Sequence, residues 1–425
     1  LEEPVQVVDH VVVGGGVMGS AAAWQLAARG RDVLLLERFE PGHVRGASHG
    51  ASRIYRTTYD RPEYVDLALE ALDLWRSLDD PSVLTLNGGV SHGVRHEGVA
   101  ASFAARGVPH EWLTPAAAGE RWPGLRFEGS VLHETSTAGR LHADRAVAAL
   151  QGSARSHGAD VRHEVQVHRV VADGSGVLLE TSTGDVRARS VVVAVGAWTA
   201  GLVGPLLGVD LAPALVVTQE QPAHFAVLPG APDEDAWPSF THQPLGTYPW
   251  PSGTYGLATP GEGIKVGFHG VGPVTDPDRR SFTPEPGQLA ELQRYAELWL
   301  PGVDPSAPAP ISCTYTTTPD SDFVLDRRGP VVVAAGFSGH GFKFAPAIGR
   351  VLADLASEPV DAPARAADPA FALARLAGAR PTGGGAAGAR PAGARPAGAA
   401  VRPVASDRPP VSTVSTVSTV PQEIR

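Results

Sequence analysis

Cysteine is almost absent from this chain, with Cys313 the single example in 425 residues. One thiol cannot close an internal disulfide, which excludes a small fold held together by cross-links. Lysine is nearly as scarce, occurring only at Lys265 and Lys343 against 33 arginines. A chain that fills its cation positions with arginine in this way gives each lysine a claim to a specific role, because an ammonium and a guanidinium are not interchangeable. No apolar run approaches the roughly 18 residues that a membrane helix needs. The net charge is −10 with no basic stripe to offset it, which argues against nucleic-acid or anionic-lipid partners. No basic segment followed by an apolar one opens the sequence, so a reducing, cytoplasmic location is expected. The composition, 43% hydrophobic and 19% charged, is that of an ordinary globular protein, and the length suggests two or three domains.

From about residue 377 onward the sequence turns to Gly-Ala-Arg-Pro repeats and three copies of Ser-Thr-Val. Such a composition offers too little apolar surface to offset its ordering entropy, and a disordered tail over 377–425 is expected. Runs of buried-strand character stand at the start (Val11-Val12-Val13), in the middle (Val191-Val192-Val193) and near the end (Val331-Val332-Val333) of the remainder. A strand and hairpin are expected over 161–171 and 177–181, and a helix over 346–355. The intervening stretches are richer in Trp, Tyr and Pro. The expected fold is α/β, with a discontinuous Rossmann-like domain from 1–85, 145–215 and 325–376. A second, mixed-sheet substrate domain is expected from 86–144 and 216–324.

The first βαβ unit carries a recognisable pattern. Gly14, Gly16 and Gly19 form Gly-x-Gly-x-x-Gly between the strand at 11–13 and a helix expected over 20–29. In such a turn the first glycine makes the bend and the second admits a pyrophosphate. The third lets helix and strand pack closely, and the helix N-terminus stabilises the phosphate charge. Gly-rich turns also occur where nothing binds. Here the pattern follows a strand, opens a helix and is answered by Glu37 at the end of the next strand, placed to accept from ribose hydroxyls. Glu37 disfavours a 2′-phosphate, although the adjacent Arg38 leaves one arginine in reach. The pattern alone does not separate NAD from FAD.

Four further blocks separate them: His49-Gly50-Ala51-Ser52-Arg53-Ile54-Tyr55-Arg56, Lys265-Val266-Gly267-Phe268-His269, Cys313-Thr314-Tyr315, and Gly336-Phe337-Ser338-Gly339-His340-Gly341-Phe342-Lys343-Phe344. In order and spacing the chain resembles the monomeric sarcosine oxidase and N-methyltryptophan oxidase family of covalent flavoproteins, from about residue 7 to about 376. Arg121-Trp122-Pro123-Gly124 and Gly196-Ala197-Trp198 add weaker support. The resemblance implies FAD, oxidation of a secondary or N-methylated amino acid, and oxygen as the acceptor, reduced to hydrogen peroxide. It implies a monomer, with neither nucleic acid, membrane nor metal involved. It makes Cys313 the covalent attachment point of the flavin, Lys343 with Arg56 the clamp on the substrate carboxylate, and Lys265 the cation beside oxygen. His269 is implied near the substrate, Tyr255 and Tyr315 along its cavity, and Arg53 and His49 near the flavin ring. Gly339, Gly341 and Phe342 are implied at the ring's pyrimidine end. Val17, Met18, Ser52, Ile54, Val167, Gly196 and Trp198 complete the implied cofactor contacts. The alternation of Lys265, Gly267 and His269 places all three on one strand face.

The match fails in two places. The stretch 237–259, with Tyr248 and Trp250, departs from the family, and so does the block 49–53 outside its arginine. Three other readings therefore stay open: oxidation of a cyclic imino acid by the same clamp, a dehydrogenase serving a quinone or protein acceptor, and a flavin-binding protein without turnover.

Overall fold

The computed structural model describes residues 5–94, 97–246 and 252–376. The expected tail and the residues Tyr248 and Trp250 lie outside them.

Val11, Val12 and Val13 are buried on both sides, as a central parallel strand requires. Their strand, Gln6–Val13, is the middle of a nine-stranded sheet. It pairs in parallel with Val33–Leu36 on one side and Val186–Val193 on the other. Val33–Leu36 continues to Asp160–Arg162, and the second half of Val186–Val193 pairs with Val331–Ala335. Antiparallel strands Val324–Arg328 and Arg365–Ala366 extend the sheet beyond Val331–Ala335, and Val177–Thr181 pairs antiparallel with the first half of Val186–Val193. The period of two sends alternate side chains to opposite faces. Val12, Leu35, Val192 and Val332 enter one apolar core with the helices Val17–Ala27, Pro62–Arg76 and Ala345–Ser357. Val11, Val13, Leu34, Leu36, Val191 and Val193 enter a second core across the sheet.

A separate eight-stranded sheet runs in the order Ala309–Pro310, Ala223–Phe225, Gly263–Phe268, Thr254–Thr259, Ser239–Gln243, Gly89–Gly93, Ser130–Glu134 and His110–Leu113. Phe225, Phe240, Ile264 and Val266 pack one face of it against the helix Pro286–Trp299. A two-stranded ribbon pairs Val216–Glu220 with Cys313–Thr317, and a three-stranded one carries Arg53–Tyr55.

Two local expectations change. The segment 161–171 is not one strand: pairing stops at Arg162 and resumes at Val167, with Glu164 between them at φ 61°. That left-handed residue lets the backbone of Val165 donate to the carbonyl of Glu37, so hydrogen bonding to the cofactor-side strand end replaces strand continuity. The first helix begins at Val17, three residues earlier than expected. No helix among the described residues is long and apolar enough to cross a membrane.

Candidate active site

One cavity of about 1010 Å³ runs from the Gly-rich turn past the eight-stranded sheet. Among the residues expected at the cofactor it is lined by Gly14, Gly16, Val17, Met18, Glu37, Arg38, His49, Arg53, Ile54, Val167, Gly196, Trp198, Cys313, Gly339, Gly341, Phe342 and Lys343. Among those expected at the substrate it is lined by Arg56, Tyr255, Lys265, His269 and Tyr315. The scarce residues of the chain, a thiol and two amines far apart in sequence, therefore share one cavity. Gly19 and Ser52 stand behind its wall.

At the turn, Gly14 has φ 102° and a Cβ there would lie 2.6 Å from the carbonyl oxygen of Ala194. A Cβ on Gly19 would lie 1.9 Å from the carbonyl oxygen of Gly14, so only glycine lets this helix start so close to the strand. The helix Val17–Ala27 opens on Gly16 with no side-chain cap and no acid in its first turn, although Ser48 Oγ accepts from Val17 N at 3.0 Å. An uncapped helix start facing a cavity suits an anion such as a pyrophosphate. Glu37 receives hydrogen bonds from Gly15 N at 2.6 Å and Phe39 N at 3.0 Å, with His43 Nε2 3.5 Å away. Burial alone would push its carboxyl up, but those donors outweigh it and hold the group below the usual range, as an anion. Arg38 is tied to Asp278 at 2.8 Å, and Trp198 Nε1 donates to the same carboxylate at 2.9 Å. That pairing removes Arg38 from competition for a 2′-phosphate. With a ribose-type carboxylate and a phosphate-type helix start at one end and a roomy cavity beyond, the residues present fit FAD.

At the other end, Lys265 is buried and donates to the carbonyl of Ser52, while Ser52 Oγ pairs with Thr259 Oγ1 at 2.6 Å. Desolvation pushes the amine well below its usual range, Arg53 adds to that, and Cys313 and Glu262 oppose it. Gly263–Phe268 ends before His269, whose backbone N–H is held by Gly253 O and Ser252 Oγ. His269 still lines the cavity with Lys265, its ring 5.3 Å from that of Tyr315. Burial, then Arg56 and Lys343, lower its imidazole to about 4, so it is neutral at pH 7. Gly267 leaves room for Tyr255, whose ring a Cβ would approach to 2.7 Å. Arg53 spends its guanidinium on the carbonyls of Ala47, His49 and Ser52, stapling the loop that carries His49. Cys313 is half-buried and pairs across its ribbon with Glu220.

Lys343 and Arg56 meet at a residue that pattern reading passed over. Lys343 Nζ donates to Tyr59 Oη at 2.9 Å and to His340 O at 2.6 Å. The Arg56 guanidinium lies 5.1 Å from the centre of the Tyr59 ring. His340 Nε2 donates to Ser321 O at 3.0 Å, which leaves Nδ1 to accept from Tyr59 Oη at 3.3 Å. Behind them Glu134, buried, accepts from Thr57 N, Thr57 Oγ1, Thr58 Oγ1 and Thr137 Oγ1, fixing the strand exit that follows Arg56. No periodicity marks Tyr59. The only signal was a tyrosine three residues past Arg56 in a polar loop.

The buried imidazoles make the fold sensitive to acid. His10, His49, His224 and His269 are lowered to about 4, 3, 4 and 4, mainly by desolvation, from the 6.5 of a free side chain. Because their folded values are depressed, the unfolded chain binds protons first, and their stabilisation is lost as pH falls from about 6.5 toward 4. Glu134 and Glu220, raised by burial, act in the opposite sense but are fewer. The melting temperature is expected to be highest above pH 7 and to fall steadily between pH 6.5 and 4.5. A flat profile over that window in a thermal scan would contradict this.

Fold and site together define a flavin-dependent oxidoreductase. The model of the FAD dependent oxidoreductase family, DAO, matches residues 9–355, and the chain belongs to that family. Within it the chain is 35% identical to a probable sarcosine oxidase of Arabidopsis thaliana, over 82% of this chain and 88% of that protein. It is 32% identical to the monomeric sarcosine oxidase of Bacillus sp. (strain NS-129), over 82% and 92% of the two chains. Among solved structures it is similar to the open form of NikD, an unusual amino acid oxidase essential for nikkomycin biosynthesis, with TM-score 0.73 and 29% identity over 87% and 98% of the two chains.

Proposed function

We propose that this protein is an FAD-dependent oxidase of a secondary or N-methylated amino acid, acting as a monomer in a reducing compartment and releasing hydrogen peroxide. The observation that carries the reading is the meeting of Cys313, Lys265 and Lys343 in one cavity. The names of the relatives, sarcosine oxidases and an amino acid oxidase, support the substrate class. In this reading 1–85, 145–215 and 325–376 bind the cofactor, and 86–144 with 216–324 bind the substrate.

FAD, held at Cys313, would supply two-electron oxidation of the amine with oxygen as the electron acceptor. The chain's own residues do the rest. Arg56 and Lys343 hold the substrate carboxylate, with Tyr59 fixing their spacing, which orients the amine toward the ring. His269, neutral, accepts a hydrogen bond from the amine rather than repelling a cation. Tyr255 and Tyr315 wall the space around the substrate side chain and exclude water. The backbone N–H groups of Gly339 and Gly341 would stabilise negative charge on the reduced cofactor. Lys265 places a positive charge on the oxygen side. Cys313 would hold the cofactor covalently, with Arg53 and His49 beside it.

Retention of Lys265 in the cavity favours oxygen over a quinone or protein acceptor. The same clamp serves an open-chain or a cyclic amino acid, so the test covers both. Peroxide release is expected from sarcosine-like or other N-methyl amino acids with oxygen as sole acceptor. Release from proline- or pipecolate-like rings alone would move the assignment to cyclic imino acids, and release from neither would end it.

A further inference from the structure

An amine that is to act as an ammonium beside oxygen has to regain any proton it gives up. The Lys265 side chain is 4% exposed, and its hydrogen-bond partner is the carbonyl of Ser52, which accepts but cannot return a proton. Besides His224, four groups bear on that amine: Arg53, Cys313 and His49 from the cofactor side, and Glu262 from its own sheet. Arg53 donates its guanidinium to the carbonyls of Ala47, His49 and Ser52, and Cys313 and His49 face the cavity.

His224 faces the other way out. It is the antiparallel partner of Lys265, and such partners share a sheet face with Cβ atoms about 5 Å apart. Their neighbours Ala223, Phe225, Ile264 and Val266 occupy the opposite face, in the apolar core. His224 does not line the cavity and is 6% exposed. Its Nδ1 lies 3.5 Å from Glu262 Oε2, and its Nε2 is buried without a hydrogen-bond partner among the described residues. The Glu262 side chain is 49% exposed and sits in the turn between Thr254–Thr259 and Gly263–Phe268, within electrostatic reach of His142. A buried imidazole thus lies 3.5 Å from a half-exposed carboxylate and is the cross-strand partner of a buried amine.

We propose that Glu262 and His224 form the proton route between bulk water and the amine of Lys265. The inference rests on the reading of Lys265 as the cation on the oxygen side. Reduction of oxygen to hydrogen peroxide takes two electrons, supplied by the oxidised amine through FAD, and two protons. Each proton taken up at the Glu262 carboxylate passes to His224 Nδ1, His224 releases its Nε2 proton toward the neutral Lys265 amine, and the ring returns to its starting tautomer before the next, so one proton moves in each passage and no electron does. Burial and the charge of Lys265 keep the imidazole neutral at pH 7, the state in which one nitrogen accepts while the other donates.

Two lysines make the test direct. Holoenzyme labelled with 15N at lysine Nζ gives two side-chain signals, and loss of one in Lys265→Met assigns them. Glu262→Gln and His224→Phe are each expected to slow hydrogen exchange between water and the Lys265 Nζ by about tenfold or more, with Lys343 unchanged. Glu262→Gln, at a half-exposed position, carries the test if His224→Phe fails to fold. Exchange within about twofold of wild type, or slowing of both lysines alike, overturns the route. So does a shifted Lys265 titration with unslowed exchange, since Glu262 would then be a counter-charge alone. If Lys265→Met leaves reoxidation by oxygen unaffected, the oxygen role fails while the exchange result stands on its own.

Discussion

Lys265→Met is expected to slow reoxidation of the reduced enzyme by oxygen about 10²- to 10³-fold while leaving reduction by substrate within a few fold of wild type. The first electron given to oxygen creates superoxide from a neutral molecule, and a cation already in place lowers that barrier without waiting for water to reorient. Lys265 meets the requirement by being fixed: it is buried and anchored on the Ser52 carbonyl. Desolvation and Arg53 depress its affinity for a proton, and new negative charge beside it would raise that affinity, so charge and proton are stabilised together. Methionine keeps the length and removes the charge. Stopped-flow measurement of the two half-reactions decides the matter, and equal slowing of both would place Lys265 in substrate handling instead.

Lys343→Met is expected to raise KM for carboxylate-bearing substrates, and Kd for carboxylate inhibitors, about a hundredfold. Lys343 and Arg56 converge on Tyr59 inside the cavity, and among the described residues no carboxylate is a hydrogen-bond partner of either the ammonium or the guanidinium. Two buried cations side by side repel: burial first, and then Arg56, depress Lys343, and burial, then Arg56 and Lys343, depress His269. A substrate carboxylate held between them would relieve that repulsion, which is why removing one cation is expected to weaken binding. Affinity for amines that lack a carboxylate should change little. Equal weakening for both kinds of ligand would mean that Lys343 shapes the pocket without contacting the carboxylate.

The parts of the molecule governed by short-range pattern were readable before any coordinates. Three valines in a row buried on both faces, a glycine turn whose third glycine touches the first, and Glu37 at the next strand end are local facts with a single structural solution. Scarcity was informative in the same way, because an arginine-rich chain that keeps two lysines puts both of them in the cavity. What was not readable depends on distance along the chain. Tyr59 and Lys343 are 284 residues apart, and nothing in either neighbourhood announces that one accepts from the other. The carboxylate of Glu134 reaches Thr57 across 77 residues, and Arg38 finds Asp278 across 240. The break at 163–166 was missed for another reason: alternating apolar residues run through it, and only the turn at Glu164, set by the Glu37 strand, interrupts pairing.

Mass spectrometry of the denatured chain tests the account most directly, because it asks whether the sole thiol sits against the flavin ring. Wild type is expected to run heavier by one FAD, with the added mass on the peptide containing Cys313, and Cys313→Ser to run at the mass of the bare polypeptide. A wild-type chain that sheds all of its flavin on denaturation would contradict the placement of Cys313 at the cofactor.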